Sequence, residues 1–262
     1  MVFALTNVAI LHSPAEMLAA ERLLQRVWGS PTPPLEAATM TALAHAGNYV
    51  AGAFDHDHHD EMLGCAVGFF GPPAEHTLHS HITGVLPGSA GRGIGMALKS
   101  HQRAWCLTQG VSTMTWTFDP AIARNAHFNL NKLGVTALAY LEDFYGPLDD
   151  DLNAGSPTDR LLVRWDLEDP APATVRLAEP PTAALAMSAD GAPMVQAVSP
   201  LATSVLVQVP SDIETLRRSD PTLAADWRFA IREVLGAYLG SADTWRITGF
   251  LAHGHYVLER TS

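Results

Sequence analysis

The run Val85-Leu86-Pro87-Gly88-Ser89-Ala90-Gly91-Arg92-Gly93-Ile94-Gly95 constrains this chain more than any other. Before it, residues 77–86 (TLHSHITGVL) read as a strand. After it, Ile94, Ala97, Leu98, Ala104 and Trp105 recur on one helical face as far as Gly110. A helix entered through such a turn leaves its first N–H groups without internal partners. Glycine lets the backbone turn tightly and lets a ligand approach with no Cβ in the way. Free N–H groups and the helix dipole together suit an anion such as a diphosphate. No Lys-Ser or Lys-Thr follows the glycines, which excludes a P-loop. No βαβ unit precedes them, which argues against a Rossmann dinucleotide site.

The elements around the turn can be read from periodicity and caps. Residues 5–11 form a first strand. Ser13-Pro14-Ala15-Glu16 is a capping box that opens a helix carrying Met17, Ala20, Leu24, Val27 and Trp28. A second helix, with Leu35, Ala38, Ala42, Leu43 and Ala46 on one face, ends at Gly47. Residues 48–54 and 62–70 read as a strand pair. The Asp55-His56-Asp57-His58-His59-Asp60 run between them reads as a solvated hairpin loop rather than a metal site, because its ligands lack a fixed spacing. Residues 112–118 are a strand. Asp119-Pro120 is expected to cap the next helix, with Ile122, Ala126, Leu130 and Leu133 inward and Gly134 at its end. Strands at 136–143 and 160–167 follow. Strands alternating with helices imply an α/β (α+β) domain with helices packed on a partly parallel sheet.

Prolines at 170, 172, 180 and 181 break the composition, so the reading is a domain over 1–168, a linker over 169–182 and a C-terminal α/β region over 183–262. In that last region Asp190-Gly191 marks a hairpin, 203–209 a strand, Asp220-Pro221 a helix start, and 244–251 with 255–260 two closing strands. This repeats the order of 112–167, either as a degenerate copy of a half-domain or as chance recurrence of a common phrase. The region could serve as the arm of a homodimer or as a substrate lid.

Across the 262 residues the formal net charge is −11, which argues against broad nucleic-acid binding. It mildly favours cationic partners. No window approaches the roughly 18 apolar residues of a membrane span, and the N-terminus lacks a signal-peptide pattern, so the expectation is a cytoplasmic protein with no membrane partner. Cys65 and Cys106 make no disulfide framework.

The chain over about 1–167 resembles the GNAT N-acetyltransferase superfamily. The likeness rests on Gly91-Arg92-Gly93-Ile94-Gly95, on Val85 and Pro87 before it, on the element order, and on Asn125-Ala126-His127-Phe128-Asn129-Leu130-Asn131-Lys132-Leu133-Gly134, which looks like the family's fourth helix. The whole chain is similar to a poorly characterised branch with His-Ser-His before the turn and an added C-terminal region. The resemblance implies a mixed, mostly antiparallel sheet flanked by helices, with the C-terminal region as a half-copy. It implies acetyl-CoA or another acyl-CoA as cosubstrate, its pyrophosphate held by Ala90, Gly91, Arg92, Gly93, Ile94 and Gly95. The pantetheine arm would pair with the backbone at Val85, where the strand lies open beside its neighbour. The implied activity is transfer of an acetyl or short acyl group to a small-molecule or peptide amine.

Two positions depart from the family pattern. Ala90 stands where Gln or Arg is usual. Leu130 stands where a tyrosine often protonates the leaving thiolate, and leucine has no proton to give. These departures keep open a second reading, a binding protein that holds acyl-CoA or a metabolite without chemistry. For acid–base work His79 and His81 are the candidates. An amine must be neutral to attack a thioester, so a base near neutral pKa helps, and residues two apart in a strand share a face. The alternative is a pair of structural histidines. Tyr140 and Tyr145 are open candidates for the missing acid. Asn125 and Asn129 either bond the pantetheine amides or solvate their helix.

Overall fold

A computed structural model describes residues 7–55, 61–89, 91–153, 155–169, 181–240 and 245–261. The chain divides into two compact units. The first is Met1–Trp116 with Asp149–Leu152, and the second is Thr117–Leu148 with Asn153–Ser262.

The first unit begins with β1 (Asn7–Ile10) and α1 (Pro14–Trp28). Ser13 Oγ accepts the Glu16 N–H at 3.3 Å and Glu16 Oε2 accepts the Ser13 N–H at 2.8 Å, so the capping box is complete. Then come α2 (Ala37–His45), β2 (Tyr49–Phe54), β3 (Met62–Phe70), β4 (Thr77–Val85), α3 (Ile94–Thr108) and β5 (Thr113–Phe118). The strand order is β1-β2-β3-β4-β5. The first four strands are antiparallel neighbours, and β5 runs parallel to β4. Leu11, Met17, Leu24, Met40, Val50, Cys65, Val67, Ile82 and Leu86 form a continuous core under α1 and α2. Each such Leu, Met or Val contributes about 1.5–3 kcal/mol on full burial.

The sheet is irregular where it matters. Val67 pairs with Ile82 and Phe69 with His79, so Gly68 alone faces both Ser80 and His81. This two-against-one bulge bends and twists β4. Gly68 is required there, since a Cβ would stand 2.8 Å from Leu78 Cδ2, 2.9 Å from Gln102 Nε2 and 3.0 Å from the His79 carbonyl oxygen.

In the second unit, α4 (Ala123–Ala126) continues as a π-helical segment, His127–Leu133, which Gly134 ends at φ 71°. β6 (Thr136–Leu141) and β7 (Arg160–Asp166) are an antiparallel pair. Then follow β8 (Thr182–Met187), β9 (Pro193–Val195), β10 (Ser204–Gln208), α5 (Ile213–Ser219), α6 (Pro221–Gly240), β11 (Trp245–Leu251) and β12 (His255–Arg260). Their sheet has the order β11-β12-β10-β8-β9, with β8 parallel to β10 and the other pairs antiparallel. A parallel pair, a helix and an antiparallel pair therefore occur twice along the chain. The first set is β4/β5, α4 and β6/β7, and the second is β8/β10, α6 and β11/β12. The 170–180 stretch of the expected linker lies outside the described residues, as does the 56–60 part of the histidine-rich loop.

One expectation is corrected here. Asp119 does not cap a helix, for the residue at the start of α4 is Ile122 and makes no side-chain cap. Asp119 instead accepts from Arg228 at 2.8 and 2.6 Å and from Arg217 at 2.5 Å, all three side chains being buried. Two guanidiniums outbid a helix terminus for one carboxylate, because charge-assisted bonds away from water are stronger. Burial alone would raise its pKa, but Arg228 and Arg217 hold Asp119 well below the usual carboxylate range. α5, between the expected strand at 203–209 and α6, is an element without a sequence-based expectation. It brings in Arg217.

Removing Asp119 strands two buried cations. Asp119→Ala should lower the unfolding free energy by about 3–5 kcal/mol. Urea unfolding checks this, and a loss below about 1 kcal/mol, typical of an exposed pair, would contradict it.

Candidate functional site

β4 and β5 pair only at Thr77–Thr113, Leu78–Met114 and His79–Thr115. Beyond His79 the pairing stops, at the residues where the bulge twists β4. Leu86 gives its N–H to the Leu63 carbonyl at 2.9 Å, toward β3. Strand alternation then turns the N–H and C=O of Val85 to the opposite edge, the one β5 has left.

The glycine-rich turn follows at once. A 3₁₀ turn over Pro87–Ser89 leads to Gly91 and Gly93, at φ 81° and 83°, and Gly93 is the residue before α3. Those positive angles need glycine. A Cβ added at either would meet nothing within 4 Å, so the backbone here borders open space. The first backbone bond of α3 is Ala97 N–H to the Gly93 carbonyl, at 3.0 Å. Among the described residues the N–H groups of Gly93, Ile94, Gly95 and Met96 have no acceptor. The Arg92 N–H makes a long 3.4 Å bond to Ser89, and its guanidinium is on Asp55 at 2.9 Å. That pair is half-exposed and weak enough to exchange partners. The dipole of a helix entered in this way favours a diphosphate, so the residues present fit one. Ala90 lies outside the described residues.

His79 and His81 lie on one face of β4, their rings 6.4 Å apart and each against Phe69 at 5.3 and 5.7 Å. His79 Nδ1 is 3.3 Å from Thr115 Oγ1 on β5. Burial lowers both imidazole pKa values, and for His79 the neighbouring His81 and Lys99 lower it further. Both rings are therefore neutral at neutral pH, the state in which a base accepts a proton.

The opposite side of β4 holds what sequence reasoning missed. α3 turns Ile94, Leu98, Lys99, Gln102 and Cys106 inward, and leaves Ala104, expected inside, exposed. Lys99 Nζ donates to Ser80 Oγ at 2.8 Å and lies 4.0 Å from the centre of the Trp116 ring. Ser80 Oγ donates to Gln102 Oε1 at 2.9 Å. These partners explain the rotation of the helix. The signal available was the stripe Lys99, Gln102, Cys106 at spacing i, i+3, i+7.

The second unit receives the other candidates. Asn125 sits in α4, its N–H on the Ile122 carbonyl at 3.0 Å. Leu130 is buried. Tyr140 is locked, its hydroxyl donating to Asp159 at 2.6 Å, and burial followed by that carboxylate raises its pKa far above the ordinary value. Tyr145 is exposed, with its hydroxyl 3.2 Å from Thr117 Oγ1.

No protein-family model matches the sequence. No curated protein matches it by sequence either. Solved structures do match. An N-acetyltransferase from Staphylococcus aureus Mu50 has a TM-score of 0.51 at 15% identity, over 62% of this chain and 99% of that one. Ribosomal-protein-S5-alanine acetyltransferase from Vibrio fischeri has a TM-score of 0.51 at 14% identity, over 66% and 98%. A GNAT-superfamily phosphinothricin acetyltransferase from Sinorhizobium meliloti, in complex with AcCoA, has a TM-score of 0.50 at 17% identity, over 62% and 88%. The fold is that of the GNAT N-acetyltransferases. At these identities the likeness concerns architecture. The C-terminal sheet is an extension to the GNAT fold. Among the described residues, no helix is long and apolar enough to cross a membrane.

The histidine environment yields a direct check. Titration followed by the ring proton resonances should give both His79 and His81 apparent pKa values below 6.5, the unperturbed value. Unfolded chains then bind more protons than folded ones as pH falls through 6.5, so these rings withdraw stability on acidification. Values at or above 6.5 would contradict the buried, neutral pair.

Proposed function

We propose that this chain is an acyl-CoA-dependent N-acyltransferase that moves an acetyl or short acyl group to an amine by direct attack. The observation that carries the reading is the parting of β4 from β5 after His79–Thr115, on the strand that leads into a turn where the amides of Gly93, Ile94 and Gly95 have no acceptor among the described residues. In this reading the amides from Gly91 to Gly95 hold the pyrophosphate of the coenzyme. Val85 offers its N–H and C=O to the pantetheine arm. His79 accepts the proton of the attacking amine, directly or through one water, and His81 supports it. An imidazole that is neutral at pH 7 and already hydrogen-bonded on one side suits this task.

The acceptor is a small-molecule or peptide amine. Two of the similar structures are named for a ribosomal-protein alanine and for phosphinothricin, which leaves acceptor size open between these classes. The net charge of −11 supports a cationic acceptor. A second reading, binding of acyl-CoA without chemistry, is favoured by one observation: Leu130 is buried and has no proton to donate.

Thiol release from acetyl-CoA against a broad panel of amines separates the two. Turnover with at least one amine is expected. Joint replacement of His79 and His81 by Ala should lower kcat by on the order of 100-fold while coenzyme affinity holds. Coenzyme binding with no turnover on any amine supports the binding-protein reading instead. The cradle is tested separately with Gly93→Ala. That change forces a side chain into a left-handed backbone and points it into the space the pyrophosphate needs. Calorimetric titration with coenzyme A should show affinity at least about tenfold weaker. Unaltered affinity would remove the turn from the coenzyme site.

A further inference from the structure

Lys99 is a buried ammonium with no carboxylate on it among the described residues. Its Nζ touches Ser80 Oγ at 2.8 Å, Gln102 Oε1 at 3.5 Å and the Trp116 ring at 4.0 Å. The position of these partners matters. His79–Thr115 is the last β4–β5 pair, and Ser80 and Trp116 are the next residue on each strand. One side chain thus touches both strands where they part, at the closed end of the opening. The groups that bear on it electrostatically are His79 from β4 and Cys106 from α3, and Trp116 of β5 brings no charge. The neighbouring Gln102 Nε2 is buried without a hydrogen-bond partner. An ammonium buried away from any counter-ion is costly, and a leucine or methionine would fill the same space at no such cost.

We propose that Lys99 is the acid of the acyl transfer, giving a proton from Nζ to the coenzyme sulfur as the thioester breaks. This rests on the acyltransferase reading above. The amine nitrogen forms the new C–N bond, and the C–S bond breaks with its electron pair going to sulfur. Nζ supplies the proton that makes the thiol and becomes neutral. The proton lost by the amine passes to His79 and on to water, and water returns one to Lys99. No oxidant or further reactant is needed. The thiolate that develops in the transition state is the counter-ion Lys99 otherwise lacks, so the interaction strengthens as the reaction proceeds. It also supplies the proton that Leu130 cannot. Burial pushes the Lys99 ammonium down to about 7, with Cys106 opposing slightly. A thiol near 8.5 takes a proton from such a group downhill.

The pH profile follows with a defined sign. The donor is lost as pH rises through the Lys99 pKa, so kcat falls on the alkaline side. His79 must be neutral, so kcat falls on the acid side below its lowered pKa.

The experiment compares wild type, Lys99→Met and Ser80→Ala in thiol release across pH, with melting temperature and coenzyme A affinity measured alongside. Lys99→Met should melt at the same or a higher temperature, because an unpaired buried charge is gone. Its coenzyme affinity should hold, its kcat should drop on the order of 100-fold, and its alkaline limb should vanish. Ser80→Ala should keep that limb. A purely structural lysine would instead leave Lys99→Met with wild-type kcat and the same alkaline limb, and that result overturns the proposal. A wild type that releases no thiol with any amine overturns the acyltransferase reading and the Lys99 role with it.

Discussion

Gly68 of β3 lies opposite two residues of β4, and the geometry of the first unit depends on that mismatch. Antiparallel strands stay in step only while each residue has one partner. With Ser80 and His81 sharing a single glycine, β4 twists and leaves β5 after three pairs. The N–H and C=O groups of Val85, which an unbroken sheet would consume, then face an unpaired edge. The same bend puts His79 and His81 over Phe69 on one side of β4 and Ser80 against Lys99 on the other. A glycine at 68 is therefore as much a part of the site as the glycines of the turn, although no ligand would touch it.

The two units treat buried charge in contrasting ways. In the second unit Asp119 gathers Arg217 and Arg228, so the cations have a partner from the start and the cluster reads as architecture. In the first unit the partners of Lys99 among the described residues are neutral, a hydroxyl, an amide oxygen and an aromatic face. A cation placed so, beside the point where two strands separate, is suited to a reaction in which negative charge appears and is quenched. Charge that is satisfied at rest stabilises a fold, whereas charge satisfied only in a transition state accelerates a step.

Much of this architecture was legible in the sequence because it is local. The Ser13–Glu16 box, the glycine stops at 47 and 134, the Asp190-Gly191 hairpin and the strand–turn–helix around Gly93 are written in neighbouring residues, and the structure holds elements at each. The fold class followed from that order together with the family resemblance. What escaped is non-local. The bulge is a property of two strands in register, and neither Gly68 nor Ser80 announces it alone. Asp119 looked like a helix cap because Asp-Pro is a common opening. Its actual partners stand about a hundred residues further on, in helices whose packing no local pattern specifies. Lys99 went unnoticed because its stripe on α3, with Gln102 and Cys106, competes with a more apolar one through Ala97 and Ala104, and the hydroxyl of Ser80 and the ring of Trp116 decide between them.

The most direct measurement is a crystal structure of the protein with coenzyme A bound. The account predicts the pyrophosphate on the amides between Gly91 and Met96, the pantetheine arm hydrogen-bonded to the backbone at Val85, and the sulfur at the point where β4 and β5 separate. Coenzyme A found elsewhere, with those amides facing only solvent and Val85 unbonded, would contradict it.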